Sequence, residues 1–395
     1  MSSLYYLKHD RRLLIISVID LVAGIGQGCT LPIFPIYVRS YGVSYLIVGL
    51  VISGAGIIRL LVDVPVGFVL NRSCRKPFLR LSIFLLGVST LFPIFAIGIW
   101  PLFLFQVIQG LGMGILMVSV LTVTSDISPL KGKGSYVGCL FAFDSLSVAL
   151  GAFVGGKLVE VGNFQSPFIA MLLLSIAAAL IVEIFYHETL LANVKTGRFG
   201  KIDFRMPHLS RNLAGALLAA AVVSILISGA ANTAIPLYGS SLLMSPVEIG
   251  FALTTLWAAT VLVQPLSGGL CDKVGMKLLY IGGFVFSSMA LVFFFFSKTF
   301  YMLEIASACL GLSIGIATSS SATMMIESSR VNSRGLLTSF YRIFRDLGSV
   351  LGPVMVGVFS DMLGGPFAFL FAAVVCTATA LFGLTLQSKT RTLMP

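Results

Sequence analysis

The amino-acid sequence predicts an all-α membrane protein, with twelve transmembrane helices arranged as two parallel six-helix repeats. Composition, a series of long apolar runs and an internal repeat support this prediction. Of the 395 residues, 57% are hydrophobic and only 10% are charged, whereas soluble globular proteins carry about 25% charged residues. The mean hydropathy is +1.02. A chain this apolar cannot expose most of its surface to water, which excludes a secreted domain, a disordered scaffold and an ordinary cytosolic enzyme.

Apolar runs of about 20 residues are long enough to cross a bilayer as helices. Twelve such runs occur, at 13–38, 45–70, 78–98, 101–126, 134–159, 166–186, 212–238, 247–271, 278–297, 301–326, 335–361 and 366–386. The longest of them predict tilted or extended helices. The first run is too long for a signal peptide and no small-residue cleavage site follows it, so we expect it to stay in the mature protein.

Lysine and arginine are distributed unequally between the two sides of these spans. Twenty of the 26 lie in the terminal segments and in the connections that follow even-numbered spans, and only three lie on the other side. Because cytoplasmic loops carry an excess of lysine and arginine, we expect a multi-pass protein of the plasma membrane with both termini in the cytoplasm. The net charge of +11 is then a topology signal and not a nucleic-acid-binding patch.

The second half of the sequence repeats the first at a constant offset of 201 residues. Matching pairs run from Pro35 and Pro236 to Glu160 and Asp361. Six spans precede the boundary, so both halves enter the membrane in the same orientation. Two such halves, related by an axis along the membrane normal, are a transporter architecture. We therefore predict an N-terminal half (1–187), a cytoplasmic linker (188–211) and a C-terminal half (212–395).

The connections after the second and eighth spans carry two copies of one motif. The first reads GFVLNRSCRK over residues 67–76 and the second GGLCDKVGMK over residues 268–277. Both are similar to the pattern G-x-L-x-D-R-x-G-R-R of the major facilitator superfamily. With the repeat and the topology, the sequence resembles this family over nearly its whole length. The resemblance implies the family's twelve-helix fold (the MFS fold) and transport by alternating access.

Other family signatures are present with changes. The fifth span reads GAFVGG over residues 151–156, similar to the antiporter signature G-P-x-x-G-G but without its proline, and the eleventh keeps Gly352-Pro353. Gln106 stands where the family usually carries an arginine in the fourth span. Glycines four residues apart in several spans let helices approach closely. They serve either static packing or surfaces that rock during transport.

We expect the two loop motifs to form a gate on the cytoplasmic side. An acid at the end of the eighth span can face the positive N-terminus of a helix from the other half, and Lys273 and Lys277 can pair with Asp126 or Glu327. Anchoring of the topology by basic residues is the alternative. The residues assigned to the gating motifs are Gly67, Asn71, Arg72, Arg75, Lys76, Gly268, Asp272, Lys273, Gly275, Lys277, Asp126 and Glu327. We expect Asp272 to matter more than Asn71, because it retains the charge.

Seven ionisable residues lie deep in the predicted spans, where charge is costly and marks functional candidates. Asp144 and Asp20 are the candidates for proton coupling. The other five lie on the second and eleventh spans and form an inter-half ion-pair cluster or a substrate site: Arg59, Asp63, Arg342, Arg345 and Asp346. A lock that only holds the halves together is the structural alternative for this cluster.

The seven residues are four acids and three bases, so one acid lacks a full partner. A desolvated acid of this kind can take up a proton near neutral pH. Asp144 is the repeat partner of Arg345 and lies near the middle of its span. If Asp63 or Asp346 engages Arg345, Asp144 is left under-compensated.

Gln106, Gln109 and Trp257 are candidates for lining a cavity, although a tryptophan in such a span also packs against the core or lipid. The six cysteines lack paired spacing, and no metal-ligand cluster or nucleotide-binding motif occurs. We therefore expect no cofactor, no metal and no coupling to ATP. The expected partners are a small-molecule substrate, protons and the lipid bilayer, without nucleic acid, for a protein that works as a monomer.

The leading functional hypothesis is a secondary active transporter, not an enzyme, that exports small amphipathic compounds in exchange for protons. The alternative is an importer, either symporter or facilitator, of a small organic anion or sugar. An intramembrane enzyme and a non-transporting membrane protein are remote alternatives. The three histidines lie at span ends or in loops, which leaves an enzyme without an obvious base, and the external loops are too short for a receptor domain.

Overall fold

The structure is a computed structural model that describes residues 10–70, 73–128, 133–186, 210–328 and 334–387. Within these ranges the side chains at 64, 133–135, 137, 265, 268–269, 272–273, 326–328, 334–336 and 338 are not described. Most of the predicted linker at 188–211 therefore lies outside the described residues, and the predicted domain boundaries remain a prediction.

The described residues contain twelve helices long and apolar enough to span a membrane, which confirms the predicted all-α membrane fold. In chain order they are α1 (Arg11–Thr30, continued by Phe34–Arg39), α2 (Tyr45–Leu70), α3 (Arg75–Ser89, continued by Leu91–Ile94), α4 (Ile99–Ile127), α5 (Lys133–Val161), α6 (Ser166–Phe185), α7 (Arg211–Ser224, Ile225–Ala234 and Ile235–Ser241), α8 (Pro246–Val274), α9 (Met276–Phe296), α10 (Phe300–Ser328), α11 (Arg334–Leu363) and α12 (Phe367–Leu384).

Local sequence explains several helix boundaries. Asp10 caps α1 by accepting hydrogen bonds from the amides of Arg12 and Leu13. Ser245 and Glu248 form a reciprocal capping box at the start of α8, which satisfies amides that the helix itself leaves free. Gly275 separates α8 from α9 with a φ of +96°, a conformation that glycine adopts without steric cost.

Helices α1 and α7 are irregular at equivalent positions of the repeat. The middle segment of α7, Ile225–Ala234, is π-helical, and the hydroxyl of Thr233 donates to the carbonyl of Ser228 five residues earlier. With the offset of 201 residues this segment corresponds to 24–33 of α1, where the helix is interrupted after Thr30. Short π-helical segments frequently occur at functional sites, and both halves deform their first helix at the same level.

We name the two faces of the bundle by their loops. The basic end carries the α2–α3, α4–α5 and α8–α9 connections, and the opposite end carries the α1–α2, α5–α6 and α7–α8 connections. Each half packs its own aromatic core. Phe34, Phe105 and Phe168 contact one another in the N-terminal half, and Phe294 stacks on Phe369 in the C-terminal half.

The halves meet along two seams, α2 against α11 and α5 against α8. Close backbone approaches lie toward the opposite end: a Cβ placed at Gly49 would lie 2.2 Å from the carbonyl oxygen of Pro353, and one at Gly156 would lie 2.6 Å from that of Pro246. Nearer the basic end, Gly67 of α2 has nothing within 4 Å of such a Cβ. The inter-half seal therefore lies at the opposite end in this conformation.

The orientation of this bundle can be tested with the exposed native Cys74, in the α2–α3 connection, and with Ser40→Cys, in the α1–α2 connection. Each is placed alone in an otherwise cysteine-free chain. From the lysine and arginine bias, we expect a membrane-impermeant maleimide to label Ser40→Cys in intact cells and Cys74 only after the membrane is opened. The reverse labelling pattern would contradict a cytoplasmic basic end.

Candidate functional site

Asp20 and Asp144 face each other because α1 and α5 pack with a tight glycine register. A Cβ at Gly28 would lie 2.9 Å from the Cα of Gly151, so the backbones touch at this level. Two turns closer to the basic end, the same register brings the Asp20 and Asp144 carboxylates close enough for their charges to interact. Asp20 is only 5% exposed, and its Oδ2 is buried without a hydrogen-bond partner among the described residues.

Arg345 of the other half lies next to this acid pair. Its charge acts on Asp144, while its side chain is exposed in the middle of α11 and forms no hydrogen bond with any described residue. Asp63 binds Arg342 instead of Arg345, while the charge of Arg345 also acts on Asp346. Asp144 thus has a basic neighbour from the other half, with which it forms no ion pair in this conformation.

The remaining charges lie on the seam between α2 and α11. Arg342 donates to Asp63 through Nε at 3.1 Å and through a second, shorter contact from Nη2. Their side chains are 27% and 9% exposed, respectively. Arg342 lies on α11 and Asp63 on α2, so this pair links the halves. Removing one partner of a buried ion pair costs about 3–5 kcal/mol.

Arg59 and Asp346 complete the seam. Arg59 donates to the Ser349 hydroxyl of α11 at 3.3 Å. Its strongest charge interaction within the seam is with Asp346. Gly114 of α4 makes room for the charges, since a Cβ there would lie 3.0 Å from Oδ1 of Asp63. The seven deep charges therefore form one chain of neighbours, from Asp20 through Asp144 and Arg345 to Asp63 and Arg342.

The repeat shows that this charge distribution is not a symmetric property of the fold. The counterpart of Asp20 is Ala221, and the counterpart of Asp144 is Arg345. On the second seam, which is equivalent to the first, a hydroxyl of Thr254 donates to the carbonyl of Ala149 at 3.1 Å. The N-terminal half supplies an acid pair where the C-terminal half supplies one base.

The gating motifs are described in part. Asn71 and Arg72 lie outside the described residues, as do the side chains of Asp272, Lys273 and Glu327 and the surroundings of Gly268. In the first motif, Arg75 binds Asp126 at 3.2 Å. Lys76 lies 3.8 Å from Glu183 of α6. These pairs stay within the N-terminal half, so they order the basic end of that half without crossing between halves in this conformation.

Lys277 does not bind Asp126 in this conformation, and its expected pairing with Glu327 stays a prediction because that side chain is not described. The ammonium group of Lys277 donates to the carbonyls of Leu384 and Leu386 at 2.7 and 2.8 Å, at the C-terminal end of α12. A cation is stabilised there by the free carbonyls of the last helical turn. Sequence reasoning missed this partner because it looked for an acid. Asp126 is taken by Arg75 instead.

The cavity candidates are all largely buried: Gln106 is 7%, Gln109 6% and Trp257 8% exposed. The indole Nε1 of Trp257 is buried without a hydrogen-bond partner among the described residues. Trp257 belongs to the apolar core of the C-terminal half, and a role of these three residues in lining a cavity stays a prediction.

The profile of the Major Facilitator Superfamily matches this chain twice, over residues 16–226 and 216–393. The chain belongs to the Major Facilitator Superfamily. Each match covers about one six-helix half, so the resemblance and the repeat seen in the sequence are confirmed.

Similar proteins from this superfamily cover nearly the same length. An uncharacterized MFS-type transporter of Methanocaldococcus jannaschii is 22% identical over 93% of this chain and 96% of its own. The multidrug resistance protein MdtG of Enterobacter lignolyticus is 23% identical, with 95% and 92% covered. The quinolone resistance protein NorA of Staphylococcus aureus is 22% identical, with 86% and 87% covered.

Solved structures show the same fold at lower identity. A bacterial homolog of the human lysosomal transporter Spinster, in an inward-facing and occupied conformation, has a TM-score of 0.73 at 16% identity, with 94% of each chain covered. A POT family transporter in complex with a thioalcohol-conjugated peptide has a TM-score of 0.76 at 10% identity, with 95% of each chain covered. This chain is accordingly a multi-pass membrane transporter whose partners are a small-molecule substrate and the lipid bilayer.

Two acids of this superfamily member have positions that sequence reasoning did not anticipate. Glu304 of α10 accepts a hydrogen bond from Thr255 of α8. Asp361, near the end of α11, accepts hydrogen bonds from the amides of Tyr45 and Leu46 at 2.9 and 2.8 Å, so it caps the N-terminus of α2 from the other half. The repeat offers a signal for Glu304, which corresponds to Phe103, but not for Asp361, whose counterpart Glu160 is also an acid.

Asp361→Ala should loosen the seal at the opposite end. Hydrogen bonds to charged groups contribute about 1.5–3 kcal/mol, so we expect about a tenfold or larger rise in the population open at this end. The reporter is Ser53→Cys, because Ser53 is buried in the α2–α11 seam and donates to the carbonyl of Val350. Its labelling by an impermeant maleimide should accelerate accordingly.

Glu160→Ala is the matched control for this test, because Glu160 is the exposed repeat partner of Asp361. It should leave the labelling rate of Ser53→Cys unchanged. Equal rates in the Asp361→Ala and Glu160→Ala backgrounds would show that the cap does not hold the seal.

Proposed function

We propose that this chain exports small amphipathic compounds in exchange for protons, as a monomer in the plasma membrane with both termini in the cytoplasm. The observation that carries the proposal is the facing pair of acids, Asp20 and Asp144, beside Arg345 of the other half. Two desolvated carboxylates whose charges interact cannot both remain ionised at low cost. A proton or a cationic substrate relieves that cost, so the two compete for the pair.

This competition couples the flux of protons to the flux of substrate. When the pair is deprotonated, Asp144 attracts Arg345 across the interface. A cationic amphiphile can compete with Arg345 for this carboxylate. Protonation of Asp144 removes the attraction and releases Arg345 to Asp346 or to solvent. Since Arg345 belongs to the half that must move, the charge of Asp144 biases which end of the bundle is open.

The relatives support export, although their identity to this chain is low. MdtG is named as a multidrug resistance protein and NorA as a quinolone resistance protein. The gate belongs to the same proposal: Arg75 and Asp126 order the first loop motif, and Asp272 supplies the charge of the second. Asp272 would face a helix N-terminus of the other half when the basic end closes.

A second candidate is import of a small organic anion. The observation that favours it is the exposed guanidinium of Arg345, which forms no hydrogen bond with a described residue and could bind a carboxylate or phosphate. An inward proton gradient would then accelerate uptake of an anion by symport. The same inward gradient would drive export of a cation by antiport.

Asp144→Asn should abolish uphill transport driven by a pH gradient and retain downhill exchange. The amide keeps the shape of the side chain but cannot exchange a proton. The measurement uses proteoliposomes loaded with ethidium, a neutral amphiphile or a dicarboxylate. Substrate flux and proton flux are recorded in the same experiment. Asp20→Asn should act in the same way if Asp20 takes the proton.

Glu160→Gln, an exposed acid on the same helix as Asp144, is the control and should transport like the wild type. Wild-type proton stoichiometry in Asp144→Asn would assign this residue to packing. Proton-driven accumulation of the dicarboxylate, without export of ethidium, would favour the anion importer.

A further inference from the structure

Glu304 is an acid in the membrane region that the proposed coupling mechanism does not use. It lies in the second turn of α10, about 6 Å along the helix axis from Phe300. The Thr255 hydroxyl donates to Oε1, and Oε2 is buried without a hydrogen-bond partner among the described residues. Ser307, one turn further on, is fully buried with its hydroxyl equally unpartnered.

The other half of the molecule shows that the fold does not require an acid here. With the offset of 201 residues, Thr255 corresponds to Gly54 and Glu304 to Phe103. These two residues also touch, since a Cβ at Gly54 would lie 3.3 Å from Cε2 of Phe103. The same contact between equivalent helices is thus filled by hydrocarbon in one half and by a hydroxyl and a carboxyl in the other.

No described charged group on the elements packed against α10 interacts with Glu304: Arg211 of α7 lies at the basic end, and Lys298 of the α9–α10 connection forms no ion pair with it. On α8, Glu248 closes the capping box with Ser245. On α9, Lys277 binds carbonyls of α12. On α11, Arg342 binds Asp63, while Arg345 and Asp346 belong to the seam with α2.

Tyr301, in the first turn of α10, is exposed, and three tyrosines on neighbouring helices are engaged. The hydroxyl of Tyr238 donates to the carbonyl of Ser297, that of Tyr280 to Gly215, and that of Tyr341 is bonded to Ser321. Thr255 is therefore the one described side chain that hydrogen bonds to Glu304, and no described cation compensates its charge.

A carboxylate with one hydrogen bond, one buried free oxygen and no cation is costly in a membrane. Adding a proton to Oε2 neutralises it and leaves Oε1 as the carbonyl that accepts from Thr255. We propose that the contact of Glu304 with Thr255, between α8 and α10, is a second proton-binding site, located in the C-terminal half and separate from Asp20 and Asp144.

Glu304 lies nearer the opposite end of the bundle than the acid pair does. Asp20 and Asp144 are each about ten residues from the basic ends of their helices, whereas Glu304 is four residues from the opposite end of α10. A proton at Glu304 is thus closer to the side on which the halves are sealed. This goes beyond the proposed function, because binding of the proton at Glu304 requires neither a substrate nor a direction of transport.

Infrared titration of the purified protein tests the proposal. The background is Asp20→Asn/Asp144→Asn, so that the acid pair does not contribute to the band of buried protonated carboxyls. We expect this background to retain a band equivalent to one titrating carboxyl. Glu304→Gln should remove it, and Thr255→Val should keep it but move it to higher frequency, because the carbonyl loses its hydrogen bond.

The exposed acid variant Glu160→Gln should change neither the intensity nor the frequency of this band. If Glu304→Gln does not yield folded protein, the frequency shift in Thr255→Val decides the assignment.

Absence of the band throughout the titration, or no change in both variants, would overturn the proposal. Loss of the band on adding sodium but not choline at constant pH would also overturn it, in favour of a metal-cation site. Failure of all substrates in the transport assay would leave this titration unaffected, so the two proposals fail separately.

Discussion

Isolated charge is costly in the membrane interior, and seven of the deep charges of this protein lie as neighbours at or beside the interface between the two halves. The ion pair of Asp63 with Arg342 is the firmest of these contacts, and Arg59, Asp346, Arg345 and the acid pair extend it across the interface. Each charge depends on a partner from another helix. A movement of the halves therefore changes which charges are compensated, and a change of protonation alters which arrangement of the halves is favoured.

The tight packing of α1 on α5 is what makes this seam possible. Glycines at 28 and 151 bring the two backbones into contact, and Asp20 and Asp144 then lie close enough for their charges to interact. Membrane helices associate through such small residues because lipid tails provide no hydrophobic drive between them. Packing and coupling are hence two consequences of the same register.

Departures from the repeat distinguish the functional positions from the structural ones. Paired glycines recur in both halves because both must bring equivalent helices close together. Asp144 and Arg345, by contrast, occupy one position with opposite charge, and Phe103 and Glu304 occupy one position with opposite polarity. A fold built from two copies needs neither difference for its stability. Such positions are where the two halves have acquired different tasks.

Much of the fold could be predicted from the sequence because its determinants are local or periodic. The length of each apolar run, the basic bias of alternate loops and the constant offset all act without knowledge of tertiary contacts. The twelve spans and the two halves followed from them, and the resemblance to the superfamily, with its loop motifs, implied that the second helix packs against the eleventh. For the gate, the sequence predicted which residues belong to the motifs but not the partner that Lys277 has, because the partner of a lysine depends on its neighbours in three dimensions.

Lys277 shows why such partners were missed. Its acceptors are main-chain carbonyls more than a hundred residues away in the sequence. No pattern of side chains in the sequence predicts which main-chain carbonyls are free to accept. Glu304 was missed for a related reason, because an acid four residues from the end of a span resembles an interfacial residue. Its burial arises from the packing of α8 against α10, which the sequence specifies only through both helices together.

Distances between the halves, measured by pulsed electron paramagnetic resonance, test the central claim most directly. One pair of spin labels spans the basic end and a second spans the opposite end, each with one label per half. On acidification we expect the two distances to change in opposite directions in the wild type, and to stay fixed in Asp20→Asn/Asp144→Asn. Distances that do not respond to pH in the wild type, or that respond equally without the acid pair, would contradict the coupling of protonation to alternating access.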